Sequence, residues 1–175
     1  MIDIIRQYNI GKTDILKNFP IFGNVEEISL FLKRYTLFKE TIERPGDILI
    51  VGYNCMDAVL TFANFMEALT IGDRTRQIWA FDGFKPSSRY PLEDEYISRF
   101  KKAIEIFDKD RYVPWKKRIQ MQYGNDPLND LDSFLQSNKG LRTYLVYAKH
   151  IQDKAALKTI VEPVIIKNGA IEYDE

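Results

Sequence analysis

The stretch P-G-D-I-L-I-V-G-Y-N-C-M-D-A-V-L-T-F-A, Pro45 to Ala63, decides the fold. Ile48 to Val51 is an unbroken apolar run led in by Pro-Gly-Asp, as in a strand covered on both faces of a parallel sheet. Gly52 lets the chain turn. Asp57 stands where a helix N-cap is expected, and Val59, Leu60, Phe62 and Ala63 give the next helix its apolar face. Strand, glycine turn and helix form the opening unit of nucleotide-binding α/β folds, where a ligand sits at the carboxyl end of the strand beside the helix N-terminus.

Outward from this unit, helical and strand patterns alternate. Asn24, with Glu27 three positions on, has the form of a capping box. It opens an amphipathic helix to about Thr41, with Ile28, Leu30, Phe31, Tyr35, Leu37 and Phe38 among its apolar positions. The helix after Gly52 runs to about Leu69. Strands are predicted at Gln77 to Phe81, Ile119 to Tyr123, Leu141 to Tyr147 and Ala170 to Tyr173, and helices at Leu92 to Asp108, Leu128 to Gln136 and Asp153 to Val161. Glu162 to Gly169 reads as a turn, and the basic run Trp115-Lys116-Lys117-Arg118 as a solvated approach to the third strand. Residues 1–23 read as an N-terminal arm on a domain spanning 24–175. Asp82, at the tip of the second strand, is placed as are acids that accept hydrogen bonds from ribose hydroxyls.

Composition narrows the classes. A chain of 175 residues buries ~70 % of its unfolded surface as one domain. Lys plus Arg and Asp plus Glu balance at 25 each, so no overall field draws nucleic acid or an anionic membrane, and neither is expected as a partner. One cysteine, Cys55, excludes an internal disulfide, and with the single histidine, His150, it leaves no Cys/His zinc arrangement. No histidine lies near Cys55 in sequence to activate it as a nucleophile, and His150 reads as a surface or packing residue rather than a base. The first residues lack the basic start and apolar core of a signal peptide, and no stretch approaches the ~20 apolar residues of a membrane span, so a cytoplasmic location is expected.

Four places agree in order with one family. Pro45-Gly46-Asp47 with its apolar run, Gly52 and Leu60-Thr61-Phe62-Ala63; Ile78 to Phe84; Gly124-Asn125; and Asn168 to Glu175 together resemble class I S-adenosylmethionine (SAM) dependent methyltransferases of the macrocin O-methyltransferase (TylF) type. The resemblance covers roughly Tyr35 to the last residue. It implies a Rossmann-like, doubly wound α/β sheet of about five mainly parallel strands, order 3-2-1-4-5, without the last two strands of the methyltransferase fold. It also implies SAM as cofactor, held through Gly52, Asp82 and Asn125, with Arg34 and Tyr35 on the helix flanking the site.

The same comparison marks departures. Family members have an acid where this chain has Ile50, glycines and a serine where it has Met56, Asp57 and Ala58, and an Asp-x-Asp at the end of the fourth strand, where it has Ala148-Lys149-His150. Side chains at Met56 and Asp57 fill space that glycines leave for a ligand. An Asp57 carboxylate facing the methionine carboxylate at ~4 Å would repel it by ~1 kcal/mol in water and ~4 kcal/mol at an effective dielectric of ~20. A lysine in place of carboxylates repels a divalent cation, so no metal is expected; Asp174 and Glu175 remain as acids without their partners. Two functions follow. One is a methyltransferase-like domain, catalytically degenerate, that serves binding, assembly or structure. The alternative is a divergent SAM-dependent O-methyltransferase acting on a sugar or other small molecule. The fifth strand, an edge with unpaired backbone groups, is expected to meet another copy or a second protein.

Overall fold

The computed structural model describes residues 24–70, 73, 75–88, 90–109 and 112–174; the arm expected over 1–23, and Glu175, lie outside these residues. In chain order the elements are α1 (Val25–Thr41), β1 (Asp47–Tyr53), α2 (Met56–Leu69), β2 (Ile78–Gly83), α3 (Glu93–Asp108), α4 (Trp115–Arg118), β3 (Ile119–Tyr123), α5 (Pro127–Ser137), β4 (Thr143–Lys149), α6 (Lys154–Val161) and β5 (Ile165–Asp174). The strands form one sheet in the order β3-β2-β1-β4-β5, every neighbouring pair parallel. This is the expected Rossmann-like order, with the strand direction of travel reversing between β1 and β4.

The period-two alternation of a strand explains why β1 is apolar throughout. Ile48 and Ile50 pack on one face with Phe38 of α1 and Val59, Phe62 and Met66 of α2. Leu49 and Val51 pack on the other with Leu131 of α5 and Leu157 and Val161 of α6. Both faces are therefore buried, and a polar residue at any of these four positions would meet a core. Burial of a side chain of this size is worth roughly 1.5–3 kcal/mol, so β1 anchors both layers. Tyr96 and Phe100 of α3 extend the first layer over Met56 and Met121.

Asn24 caps α1 as expected, accepting a hydrogen bond from the Glu27 backbone N–H at 2.7 Å. Three local readings need correction. Trp115–Arg118 is a short helical turn, and Arg118 is fully buried beside Glu67 rather than solvated. The fifth strand begins at Ile165, well before Ala170. Asn168-Gly169 lies within it at a break in register, where Thr143 pairs with Ile165 but Leu145 with Ala170; the extra residues of β5 bulge out there, and Asn168 takes a φ of 65°. Finally, α2 begins at Met56, so Asp57 sits inside its first turn and is not its cap. Among the described residues, no helix is long and apolar enough to cross a membrane.

Candidate functional site

The site is built at the carboxyl ends of the strands, where the sheet order brings the turns after β1, β2, β3 and β4 together. Gly52 is in register with Asp82 on one side and Lys149 on the other, and Asp82 with Tyr123. Of the residues expected to hold a cofactor, Gly52 and Asp82 are thus brought side by side. Asn125 follows β3 in an exposed turn just before Asp126, the N-cap of α5.

Gly52 is needed by the sheet itself. Its φ is 142°, and a Cβ there would fall 1.9 Å from the backbone oxygen of Lys149. Only glycine lets β4 come this close. Asn54, next in the turn, adopts a left-handed φ of 53°. Its side-chain amide donates to the Lys85 carbonyl at 2.7 Å and its side-chain oxygen accepts from the Lys85 N–H at 3.2 Å, locking the turn after β1 to the one after β2. The Lys85 ammonium lies 3.8 Å from the centre of the Tyr53 ring, within cation–π reach.

The first amides of α2 point where a ligand would lie in this fold, and the chain satisfies them itself. Cys55 N–H donates to Asp82 Oδ1 at 2.9 Å, and Met56 N–H to the Tyr96 hydroxyl at 3.1 Å. That hydroxyl in turn donates to Asp82 Oδ2 at 2.5 Å. Asp82 and Tyr96 therefore do from β2 and α3 what a local N-cap does elsewhere, which is why α2 starts before Asp57. Asp82 is 1 % exposed. Burial pushes its carboxyl from its ordinary 3.8 up to about 6, against the pull of the Tyr96 and Cys55 hydrogen bonds. Burial raises the Cys55 thiol well above its usual range, with Asp82 adding to the effect, so this cysteine holds its proton and no thiolate forms.

Beside this pair lies a second cluster. Asp57 accepts from Lys149 Nζ at 2.8 Å through Oδ1 and from Arg34 Nη2 at 3.0 Å through Oδ2. Arg34 Nε also donates to the Tyr147 hydroxyl at 3.0 Å, and that hydroxyl donates to Asp174 Oδ2 at 2.6 Å. Lys149 Nζ further binds the Asn54 carbonyl at 2.9 Å. Side-chain exposure is 4 % for Arg34, 14 % for Lys149 and 26 % for Asp57. Burial alone would raise the Asp57 carboxyl, but Lys149 and then Arg34 hold it below its ordinary value. The excess negative charge expected at this turn is therefore absent: α1 and β4 bring two cations against Asp57 and Asp174. Lys149, at the end of β4, is the counter-ion of an acid in the turn after β1.

A small cavity lies nearby, past the tip of β1 toward α5 and α6. Tyr53, Lys85, Pro127, Leu128 and His150 are among the residues around this space of about 190 Å³, against the ~300–1,000 Å³ of pockets that take drug-sized ligands. His150 is exposed, with a φ of 55°, and its backbone N–H closes onto the Asp174 carbonyl at 2.9 Å. Among the described residues, no three His, Cys, Asp or Glu side chains gather as metal ligands do. Tyr96 and Tyr147 were legible only as apolar helix and strand positions, since nothing local marks a tyrosine whose hydroxyl will meet a distant acid.

No family model and no curated protein matches the sequence. Solved structures do. The crystal structure of CalS11, a calicheamicin methyltransferase, superposes with a TM-score of 0.78 at 18 % identity, covering 95 % of this chain and 71 % of that one. The apo structure of CalS11, described as a TDP-rhamnose 3'-O-methyltransferase of calicheamicin biosynthesis, gives 0.79 at 18 % identity, covering 99 % and 73 %. The chain shares the fold of these methyltransferase structures.

Proposed function

We propose that this chain is a methyltransferase-fold protein that no longer transfers methyl groups and serves as a binding or assembly element. One observation carries the reading: Asp57 and Lys149 form an ion pair at the switch point, at the carboxyl ends of the strands where such folds take a ligand. The groups that would meet SAM are already engaged within the chain, which supports this reading. The α2 amides are bonded to Asp82 and Tyr96, and both Asp82 oxygens already accept from the chain. Displacing Asp57 would leave Arg34 and Lys149 short of a counter-ion, and losing a half-buried pair of this kind costs about 1–3 kcal/mol, which a ligand would have to recover.

Titration calorimetry with SAM and with S-adenosylhomocysteine tests this. No heat at ligand concentrations of about 1 mM is expected, and a Kd of about 1 μM, equivalent to ~8 kcal/mol, would overturn it.

A second reading is a divergent O-methyltransferase of the macrocin type. The likeness to a sugar O-methyltransferase structure favours it. It requires Asp57 and Tyr96 to swing away on binding, and methyl transfer from labelled SAM to a nucleotide-linked deoxysugar would establish it.

A further inference from the structure

We propose that the open edge of β3, with the groove beside it, takes an extended acidic peptide from another protein as an added strand. The sheet has two edges. In β5 the edge is broken by the bulge between Ile165 and Ala170. In β3 it is regular: Ile119 to Tyr123 pair with Ile78 to Asp82 without a shift, and β2 is the only strand they pair with among the described residues. One side of the β3 backbone therefore presents N–H and C=O groups at strand spacing, ready for a further strand.

A cavity of about 490 Å³ runs along this edge. Its floor is apolar, from Phe100 and Ile104 of α3 and Ile119 and Met121 of β3, and its rim carries Lys101 and Lys116. Tyr123, at the end of the strand, is 47 % exposed. Among the described residues neither lysine has an acidic partner, although cations are paired elsewhere at Arg34, Arg99 and Lys149.

The combination selects the occupant. An added strand takes main-chain hydrogen bonds from the edge and turns alternate side chains into a flanking groove. Here those side chains meet an apolar floor, and acidic residues between or beyond them meet two unpaired ammonium groups. A compact small molecule would use the floor and the lysines but leave the backbone edge unpaired. The cavity also touches Gln120 along with Ile119 and Met121, so it follows the strand edge rather than one face of the sheet. This inference does not rest on the loss of methyl transfer, because the carboxyl-end site plays no part in it.

The test is a ¹H–¹⁵N NMR titration of the full chain with a blocked peptide as long as β3, alternating glutamate with valine and isoleucine. Its control is the same peptide with lysine in place of glutamate. Amide shifts are expected along Ile119 to Tyr123 and in α3, with the lysine peptide silent. The surface pair Lys101→Glu with Lys116→Glu, its fold verified by an otherwise unchanged spectrum, is expected to weaken binding about tenfold, ~1.4 kcal/mol. The proposal fails if the acidic peptide gives no shifts at about 1 mM, if both peptides bind alike, if the double variant binds as well as the parent, or if the shifts lie elsewhere. It also fails if the β3 amides become protected simply as protein concentration rises, because the occupant is then a second copy of this chain.

Discussion

Asp82 at the tip of β2 and Asp57 in the first turn of α2 lie at the same end of the sheet, and their environments drive them in opposite directions. Asp82 has lost water and gained only neutral donors, so its carboxyl rises to about 6. Asp57 has gained two cations, so its carboxyl falls. The signs follow by linkage. A folded-state pKa above the unfolded one means the native state binds the extra proton, so the Asp82 contribution is most favourable below pH 4 and is lost as pH rises through about 6. Two pKa units correspond to about 3 kcal/mol. Asp82→Asn removes this titration, and its stability relative to the parent is expected to improve by up to that amount between pH 4 and pH 7 in urea unfolding. Parallel profiles would show that Asp82 is not strained by burial. For Asp57 the stabilisation is present above its unfolded value of 3.8 and lost as pH falls further. Its coupling to Lys149 is measurable by a double-mutant cycle, Asp57→Asn with Lys149→Met. The pair is neither fully exposed, worth ~1 kcal/mol or less, nor fully dry, so a coupling of about 1–3 kcal/mol is expected; additive single effects would mean the two side chains do not act as a unit.

At the scale of elements, Gly52 and Gly140 make a controlled comparison. A Cβ on Gly52 strikes the Lys149 backbone and the φ of 142° is strained for any L residue, whereas a Cβ on Gly140 meets nothing within 4 Å. Gly52→Ala is expected to cost more than about 3 kcal/mol and Gly140→Ala less than about 0.5 kcal/mol in urea unfolding. A mild Gly52→Ala would mean that β1 and β4 can part, and with them the site. Elements with strong local signals were legible in the sequence: Asn24 opens α1, Leu69 closes α2, and Ile119 to Tyr123 is β3 to the residue. What failed were places where a distant group overrides a local rule. Asn168-Gly169 has turn chemistry, yet β4 holds it inside β5 as a bulge. Asp57 has N-cap chemistry, yet Asp82 and Tyr96 take the first amides of α2 and leave its carboxylate for Lys149 and Arg34. Arg118 sits in a basic run that reads as solvated, yet Glu67 draws it inside, where Glu67 also accepts from the Tyr112 N–H.

Across the whole molecule the expectation at issue is a partner along β5, which we propose is a second copy pairing over Ala170 to Asp174. This half of the strand is in regular register with β4, and β4 is its only strand neighbour among the described residues; of its outer backbone groups the Tyr173 carbonyl accepts from Lys33 Nζ at 3.4 Å, a long bond that a pairing strand would replace. Its acids are already held from within. Glu172 pairs with Lys33 at 2.6 Å, and Asp174 bonds Tyr147 and Arg34. They therefore do little to repel a second copy, and the bulge at Asn168 limits pairing to this half. Sedimentation velocity over a wide concentration range is expected to show a reversible dimer. Hydrogen exchange should slow, as protein concentration rises, at those amides between Ala170 and Asp174 that point away from β4, while amides bonded to β4 keep their protection. A monomer at every concentration, with these outer amides exchanging freely throughout, would show that the bulge suffices to keep the edge single and would leave β3 as the edge open to a partner.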